Sequence, residues 1–197
     1  MLFRSFVDDL VDALAAQGCT ALPIFTQSLK LDHAGQGEHR FLDFLIDETG
    51  RTLVDALIVT MSFSAHSQHE VEREWQERLD VPVFQAIVSL HSRERWEKSE
   101  AGIMPVDTAM NVAMPEFDGR IITVPFSFKE LVHEDPVLGT PLRRYVTVPD
   151  RVDYLARLVS RWIRLRKKPR AEKKIAFLLT NYPHKNSRIG NAVGLDT

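Results

Sequence analysis

The stretch VPVFQAIVSL, residues 81–90, constrains the fold more than any other part of the chain, because it is β-branched and apolar on both faces. Such strands are typical of parallel sheets that are covered by helices on both sides. Just before it, Val71, Trp75 and Leu79 are spaced by four within a highly charged stretch, which predicts a helix with one buried stripe. Strand and helix are therefore expected to alternate, as in an α/β layer fold.

The same alternation is predicted from the start of the chain. An apolar stripe at helical spacing runs from Val7 to Leu14, and short apolar runs at 20–25 and 53–63 read as strands. Residues 41–50 are compatible with a short helix. We therefore predict a parallel sheet flanked by helices, in Rossmann- or flavodoxin-like layers.

Residues 91–148 interrupt this rhythm, since they contain many prolines and few clean helical stripes. We interpret them as an irregular excursion or lid, with two short strands around an Asp118-Gly119 turn. A long helix from Asp150 then leads to an apolar, strand-like run at 175–180. The predicted organisation is an α/β domain with its excursion over 1–148. Residues 149–197 are predicted to form a linking helix and the first strand and loop of a following α/β domain.

Composition and charge exclude several classes of protein. The 197 residues contain no apolar run near the roughly 20 residues that a membrane helix needs. The first residues lack the pattern of a signal peptide, and a lone Cys19 fits a reducing compartment, so we expect a cytoplasmic protein. Basic residues concentrate at 157–174, which is either a solvated helix end or a docking face for an acidic partner. Nucleic acid is disfavoured, because few aromatic residues interleave with these cations.

Ligands of open parallel sheets bind beyond the carboxyl ends of the strands. The polar side chains expected at those ends, as binding or interface candidates, are Ser28, Lys30, Ser64, Gln85, Asn181, Tyr182, Lys185, Asn186, Arg188 and Asn191. The alternative for the last six is that asparagine and glycine merely make turns there.

Metal and nucleotide motifs are weak or missing in the sequence. His66 and His69 are three residues apart and could share a metal ion, but a third ligand is not evident, and surface histidines at a helix start are the commoner case. The sequence has no GxxxxGK[ST] phosphate loop and no GxSxG elbow. We predict no resident metal or cofactor and assign no catalytic residue.

The stretch AEKKIAFLLTNYPHKNSRIGNAVGLDT, residues 171–197, closely resembles the large subunit of cobaltochelatases of the CobN type and the H subunits of magnesium chelatases. Three more stretches resemble the same family: ALPIFTQSLK, AMNVAMPEFDGRIITVPFSFKE and DRVDYLARLVSRWIRLRKKPRAEKK. Members of that family are far longer. The resemblance therefore implies a piece of a larger subunit, or a reduced homologue of one.

The resemblance implies an ATP-dependent ligase that forms metal–nitrogen bonds and inserts Co²⁺ into hydrogenobyrinic acid a,c-diamide during cobalamin biosynthesis. Co²⁺ would be a substrate, and ATP would be hydrolysed on separate AAA+ subunits. The implied partners are the rest of the large subunit, those ATPase subunits and the corrin, whose rim Lys185 and Arg188 would meet. This chain alone is expected to be inactive. The alternatives are a magnesium chelatase H-type subunit acting on protoporphyrin and a non-catalytic α/β binding or interaction module.

Overall fold

The computed structural model describes residues 5–26, 29, 40–64, 74–134, 139 and 141–178. Its sheet has four strands in the spatial order β1-β2-β3-β4, namely β1 Leu57–Val59, β2 Val83–Ser89, β3 Ile121–Glu134 and β4 Pro141–Thr147. Strands β1, β2 and β3 are parallel, and β4 is antiparallel to β3. The predicted class, a mostly parallel sheet flanked by helices, is confirmed.

The helices lie before, between and after these strands in the chain. Their bounds are α1 Ser5–Ala16, a 3₁₀ helix Arg40–Phe44, α2 Glu74–Leu79, α3 Arg93–Glu97, α4 Pro105–Thr108, α5 Met114–Phe117, α6 Pro149–Lys167 and a 3₁₀ helix Arg170–Glu172. A π-helical turn, Ala109–Ala113, joins α4 to α5, and we call the continuous element the 105–117 helix. Pro115 has no N–H to donate to the carbonyl of Asn111, which favours a wider turn at this point.

Strand β2 is buried on both faces, as its sequence predicts. Phe84 and Ala86 point into one core, and Val83 points into another on the opposite face. This arrangement explains why most positions of the strand are apolar, since neither face of a central parallel strand meets solvent.

Helices α1 and α6 cover the face of the sheet that carries Phe84. Leu10 and Leu14 of α1 and Leu155 of α6 pack there with Phe126 of β3. The ring of Phe6 meets that of Phe126 edge to face, at 6.1 Å between centroids. These contacts fix α6 on the sheet through its first four turns.

The other face is covered by α2 and by the 3₁₀ helix at residues 40–44. Trp75 and Leu79 are almost completely buried, which confirms two of the three positions in the predicted stripe. Val71, the third, lies outside the described residues. The rings of Trp75 and Phe41 meet edge to face at 5.5 Å between centroids.

Several predicted strands are wrong in extent or kind. Residues 20–25 form no strand, the run 53–63 contributes only Leu57–Val59, and the described part of 175–180 is not a strand. The Asp118-Gly119 turn closes no hairpin. It ends the 105–117 helix, with Gly119 at φ 72° and its N–H donating to the carbonyl of Glu116. A glycine after a helix and a glycine between strands give similar sequence signals.

The contacts divide the chain into two compact units, Met1–Arg164 and Leu165–Thr197. The predicted domain boundary at 148/149, and the start of a second α/β domain after it, stay predictions. In the second unit, residues 165–170 of the basic run are exposed, as either interpretation of that run requires. In the part of the chain that the structure describes, no helix is both long and apolar enough to cross a membrane.

Candidate functional site: a buried polar junction at the strand ends

Six polar side chains meet where the loop after β1, strand β2 and the 105–117 helix come together. We call this set the polar junction, and its members are Ser62, Ser64, Gln85, Asn111, Asp118 and Arg120. It lies on the side of the sheet opposite the α1–α6 core, because Gln85 shares the face of β2 with Val83.

A buried ion pair forms the centre of the polar junction. Arg120 Nη2 lies 2.7 Å from Asp118 Oδ2, with side-chain exposures of 1% and 0%. Burial lowers the pKa of the Arg120 guanidinium, and the neighbouring Asp118 carboxylate opposes that effect. When a charge pair is excluded from solvent, its attraction offsets the free-energy cost of desolvation only if the hydrogen-bond geometry is good.

Gln85 orients the guanidinium from strand β2. Its Oε1 accepts from Arg120 Nη1 at 2.7 Å, and its Nε2 donates to the carbonyl of Met61 at 3.2 Å. Arg120 Nη1 donates to the same carbonyl at 3.1 Å. The start of β3 and the loop after β1 are thereby joined through a side chain that is completely buried.

Three consecutive residues of the loop after β1 are hydrogen-bonded to the 105–117 helix or to Asp118 directly after it. Ser62 Oγ donates to Asn111 Oδ1 at 2.7 Å, and Ser64 Oγ donates to Asp118 Oδ1. Between them, the N–H of Phe63 donates to the carbonyl of Met110 at 2.8 Å. Hydrogen bonds therefore help to set the path of this loop.

The junction is not fully satisfied. Among the described residues, Arg120 Nε and Asn111 Nδ2 are buried without a hydrogen-bond partner. Each such atom costs roughly 1–3 kcal/mol of desolvation. The remaining bonds of the junction must offset that cost, so its stability depends on each of them.

A second buried carboxylate ends strand β2. Asp107 Oδ2 accepts from Ser89 Oγ at 2.7 Å, and both Asp107 oxygens lie within 3.4 Å of the N–H of Leu90. The N–H of His91 donates in turn to Ser89 Oγ at 3.2 Å. Asp107 therefore holds the carboxyl end of β2 against the first turn of the 105–117 helix.

Replacing Asp107 by alanine should lower the free energy of unfolding by about 1–3 kcal/mol, because the buried hydroxyl of Ser89 and the partly buried N–H of Leu90 lose their acceptor. Asp107→Asn is the matched control, since its amide oxygen can still accept from Leu90 or Ser89, and it should lose less. Urea unfolding of both variants measures the difference. A loss below about 1 kcal/mol for Asp107→Ala would mean that the carboxylate is not the main acceptor at this strand end.

A shallow groove borders this strand end. Its lining includes His91, Arg95, Trp96 and Met104, and it encloses about 180 Å³ including its opening to solvent. Small-molecule sites usually occupy roughly 300–1,000 Å³. This groove is therefore too small to enclose a tetrapyrrole.

The structure brings two of the predicted site residues together, since Ser64 and Gln85 both belong to the polar junction. Gln85 has both polar atoms of its side chain engaged within the protein, so in this chain it supports the loop after β1. A role for Gln85 at a ligand stays a prediction.

The other predicted positions lie outside the described residues: Ser28, Lys30, His66, His69, Asn181, Tyr182, Lys185, Asn186, Arg188 and Asn191. Within the described ranges, no group of three or more histidine, cysteine, aspartate or glutamate residues is placed to hold a metal ion.

The sequence does not reveal the charged centre of the junction. It predicts a turn at Asp118 and gives no special role to Arg120 or Asn111. The usable signal was the order Asp-Gly-Arg directly before an apolar strand, which places two opposite charges two residues apart at a strand start. Nothing in that pattern indicates that both would be buried.

A sequence model described as CobN/Magnesium Chelatase matches residues 3–197. The chain belongs to this family. The match covers nearly the whole chain and confirms the resemblance found in the sequence.

Individual relatives come from both branches of the family. The chain is 42% identical, over 98% of its length, to the aerobic cobaltochelatase subunit CobN of Pseudomonas aeruginosa, and 37% identical to that of a Sinorhizobium species over 97%. It is 28% identical, over 93% of its length, to the chloroplastic magnesium-chelatase subunit ChlH of Oryza sativa. It covers only 13–15% of the length of these three proteins.

A solved structure shares the fold. The catalytic subunit of cobaltochelatase from Mycobacterium tuberculosis superimposes with a TM-score of 0.76 at 34% identity. The alignment covers 98% of this chain and 15% of that one. Family and fold therefore agree, and the described chain corresponds to a limited part of a long protein.

Proposed function

We propose that this chain forms part of the large, tetrapyrrole-binding subunit of a cobaltochelatase that inserts Co²⁺ into hydrogenobyrinic acid a,c-diamide. The observation that carries the proposal is the 42% identity to a cobaltochelatase subunit over 98% of the chain, against 28% to a magnesium-chelatase subunit. The likeness to the M. tuberculosis cobaltochelatase structure, at 34% identity, supports the same branch.

In this proposal the chain supplies shape and rigidity, and the reaction proceeds in the cytoplasm with help from other parts of the enzyme. The polar junction holds the loop after β1, and Asp107 holds the carboxyl end of β2. Open parallel sheets present their ligand-binding loops at such strand ends. Fixed loops let a site keep its geometry while a metal ion is positioned over a ring. ATP is hydrolysed on separate AAA+ subunits, which accords with the missing GxxxxGK[ST] motif in this sequence.

Two chimeric subunits test whether this chain belongs to the cobalt or to the magnesium branch of the family. In one, this chain replaces the matched segment of the P. aeruginosa CobN subunit; in the other, it replaces that of the O. sativa ChlH subunit. We expect the first chimera to retain Co²⁺ insertion into the corrin within about tenfold of its parent. The second chimera should lose more than that for Mg²⁺ insertion into protoporphyrin.

The parent subunits, assayed with their own ATPase subunits, are the controls. Thermal unfolding of each chimera separates a misfolded protein from an inactive one. Activity in the magnesium host together with inactivity of a folded cobalt chimera would overturn the assignment to the cobalt branch.

A further inference from the structure

The 105–117 helix buries polar residues and exposes apolar ones, which is the opposite of the usual surface helix. Its inward side carries Asp107 and Asn111, both completely buried. Its outward side carries Val106, Met114 and Phe117, whose exposed fractions are 46%, 40% and 78%. A surface helix of a self-contained domain normally turns its apolar side inward.

The outward apolar residues form one surface. Val106, Met110, Met114 and Phe117 are separated by four, four and three positions, so they lie along the same side of the helix. Phe63 adjoins them, because its N–H donates to the carbonyl of Met110, and its side chain is 51% exposed. We call these five residues the apolar face.

The backbone of Phe63 adds a second unusual feature. Its φ is 70°, in the left-handed region that bulky residues rarely adopt. Hydrogen bonds of Ser62 and Ser64 on either side hold the loop in this path. A strained backbone that presents a phenyl ring to solvent is costly unless something covers the ring.

The charge of the helix limits what can cover it. Asp107 and Glu116 are the only charged residues in 105–117, and Asp107 points inward. The outward side therefore offers no cation to the carboxylates of an anionic ligand or acidic partner. Low charge with methionine and aromatic residues is instead typical of the core of a protein–protein interface.

Chain length indicates where such a partner comes from. The curated relatives and the solved structure match this chain over only 13–15% of their own length. Most of a CobN-type large subunit therefore lies outside the matched segment and is available to pack against it.

We propose that the apolar face is the docking surface for the remaining polypeptide of a CobN-type large subunit, packed permanently against residues 105–117 and Phe63. The polar junction fixes the inward side of the helix, and it thereby orients the apolar side toward that polypeptide. The inference holds whichever metal and tetrapyrrole the subunit uses, so it can fail or succeed independently of the proposed function.

Hydroxyl-radical footprinting with mass spectrometry tests this directly, since it measures oxidation of side chains in solution. The two samples are the isolated chain and the P. aeruginosa CobN subunit that carries this chain in place of its matched segment. We expect oxidation of Met114 and Phe117 to be at least fivefold slower in the long protein. Phe126, which is completely buried, should stay protected in both and reports that the fold is intact. Equal oxidation of Met114 and Phe117 in both samples overturns the proposal.

Other occupants give different outcomes. Protection of Met114 that appears in the isolated chain only at high concentration identifies a second copy as the partner. Protection that appears in the isolated chain on adding protoporphyrin or the corrin identifies a ligand site. Either result overturns the proposal.

A variant gives an independent check. Phe117→Lys should leave the melting temperature of the isolated chain within about 1 °C, because this side chain is mostly exposed. In the long protein it should restore oxidation of Met114 to the rate seen in the isolated chain. If Met114 stays protected there, the apolar face is not the docking surface.

Discussion

Replacing Asp118 by alanine is expected to lower the free energy of unfolding by about 3–5 kcal/mol, because it leaves Arg120 buried without its counter-charge. Ser64 and Arg120 both lose an acceptor in the same step. A domain is typically stable by only about 5–15 kcal/mol, so this variant should be close to unfolding. Urea unfolding, followed by the fluorescence of the three tryptophans, measures the loss.

Two further variants separate charge from shape in the same experiment. Asp118→Asn keeps an acceptor for Ser64 but not the negative charge, so it should lose less than Asp118→Ala. The double variant Asp118→Leu with Arg120→Met removes both charges, and its loss should fall well below the sum of the two single changes. A loss under about 1 kcal/mol for Asp118→Ala would show that the ion pair does not stabilise this fold.

The second large effect is expected from Phe126→Ala, which should lower the free energy of unfolding by about 3–5 kcal/mol. Phe126 is completely buried between β3, α1 and α6, and its ring contacts that of Phe6. The cavity left by the missing ring would lie where α1 and α6 pack on the sheet, so the surrounding side chains cannot easily collapse into it.

Phe117→Ala is the matched control, since it removes the same ring from a mostly exposed position. In the isolated chain it should change stability by no more than about 0.5 kcal/mol. Phe126→Leu, which keeps most of the volume, should lose less than about 1.5 kcal/mol. Similar losses for Phe117→Ala and Phe126→Ala would contradict the position assigned to the core.

The elements that could be predicted best from the sequence are those whose buried residues recur at regular spacing or fill the whole element. Strand β2 is apolar at almost every position, and the pair Trp75 and Leu79 repeats at helical spacing, so both could be identified from the sequence. The 105–117 helix could not be predicted this way. Its buried side carries polar residues and its exposed side apolar ones, so a search for a buried apolar stripe finds the wrong side.

The residues of the candidate site could also be predicted only in part, for a different reason. Ser64 and Gln85 were predicted from their place at strand ends, and the structure brings both into the polar junction. Asp118 and Arg120 were missed because charged residues are rarely fully buried, and a sequence does not show which ones will be paired. The burial of this pair depends on the loop after β1 and on the 105–117 helix, which lie far apart in the chain.

Assays of cobalt insertion test the central claim, that these 197 residues supply part of a large subunit and not a complete enzyme. Two proteins are compared with ATP, the ATPase subunits and the corrin: the isolated chain, and the P. aeruginosa CobN subunit that carries this chain as its matched segment. We expect insertion by the chimera and none above background by the isolated chain. Turnover by the isolated chain, or a folded chimera that binds its partners and inserts no cobalt, would contradict the claim.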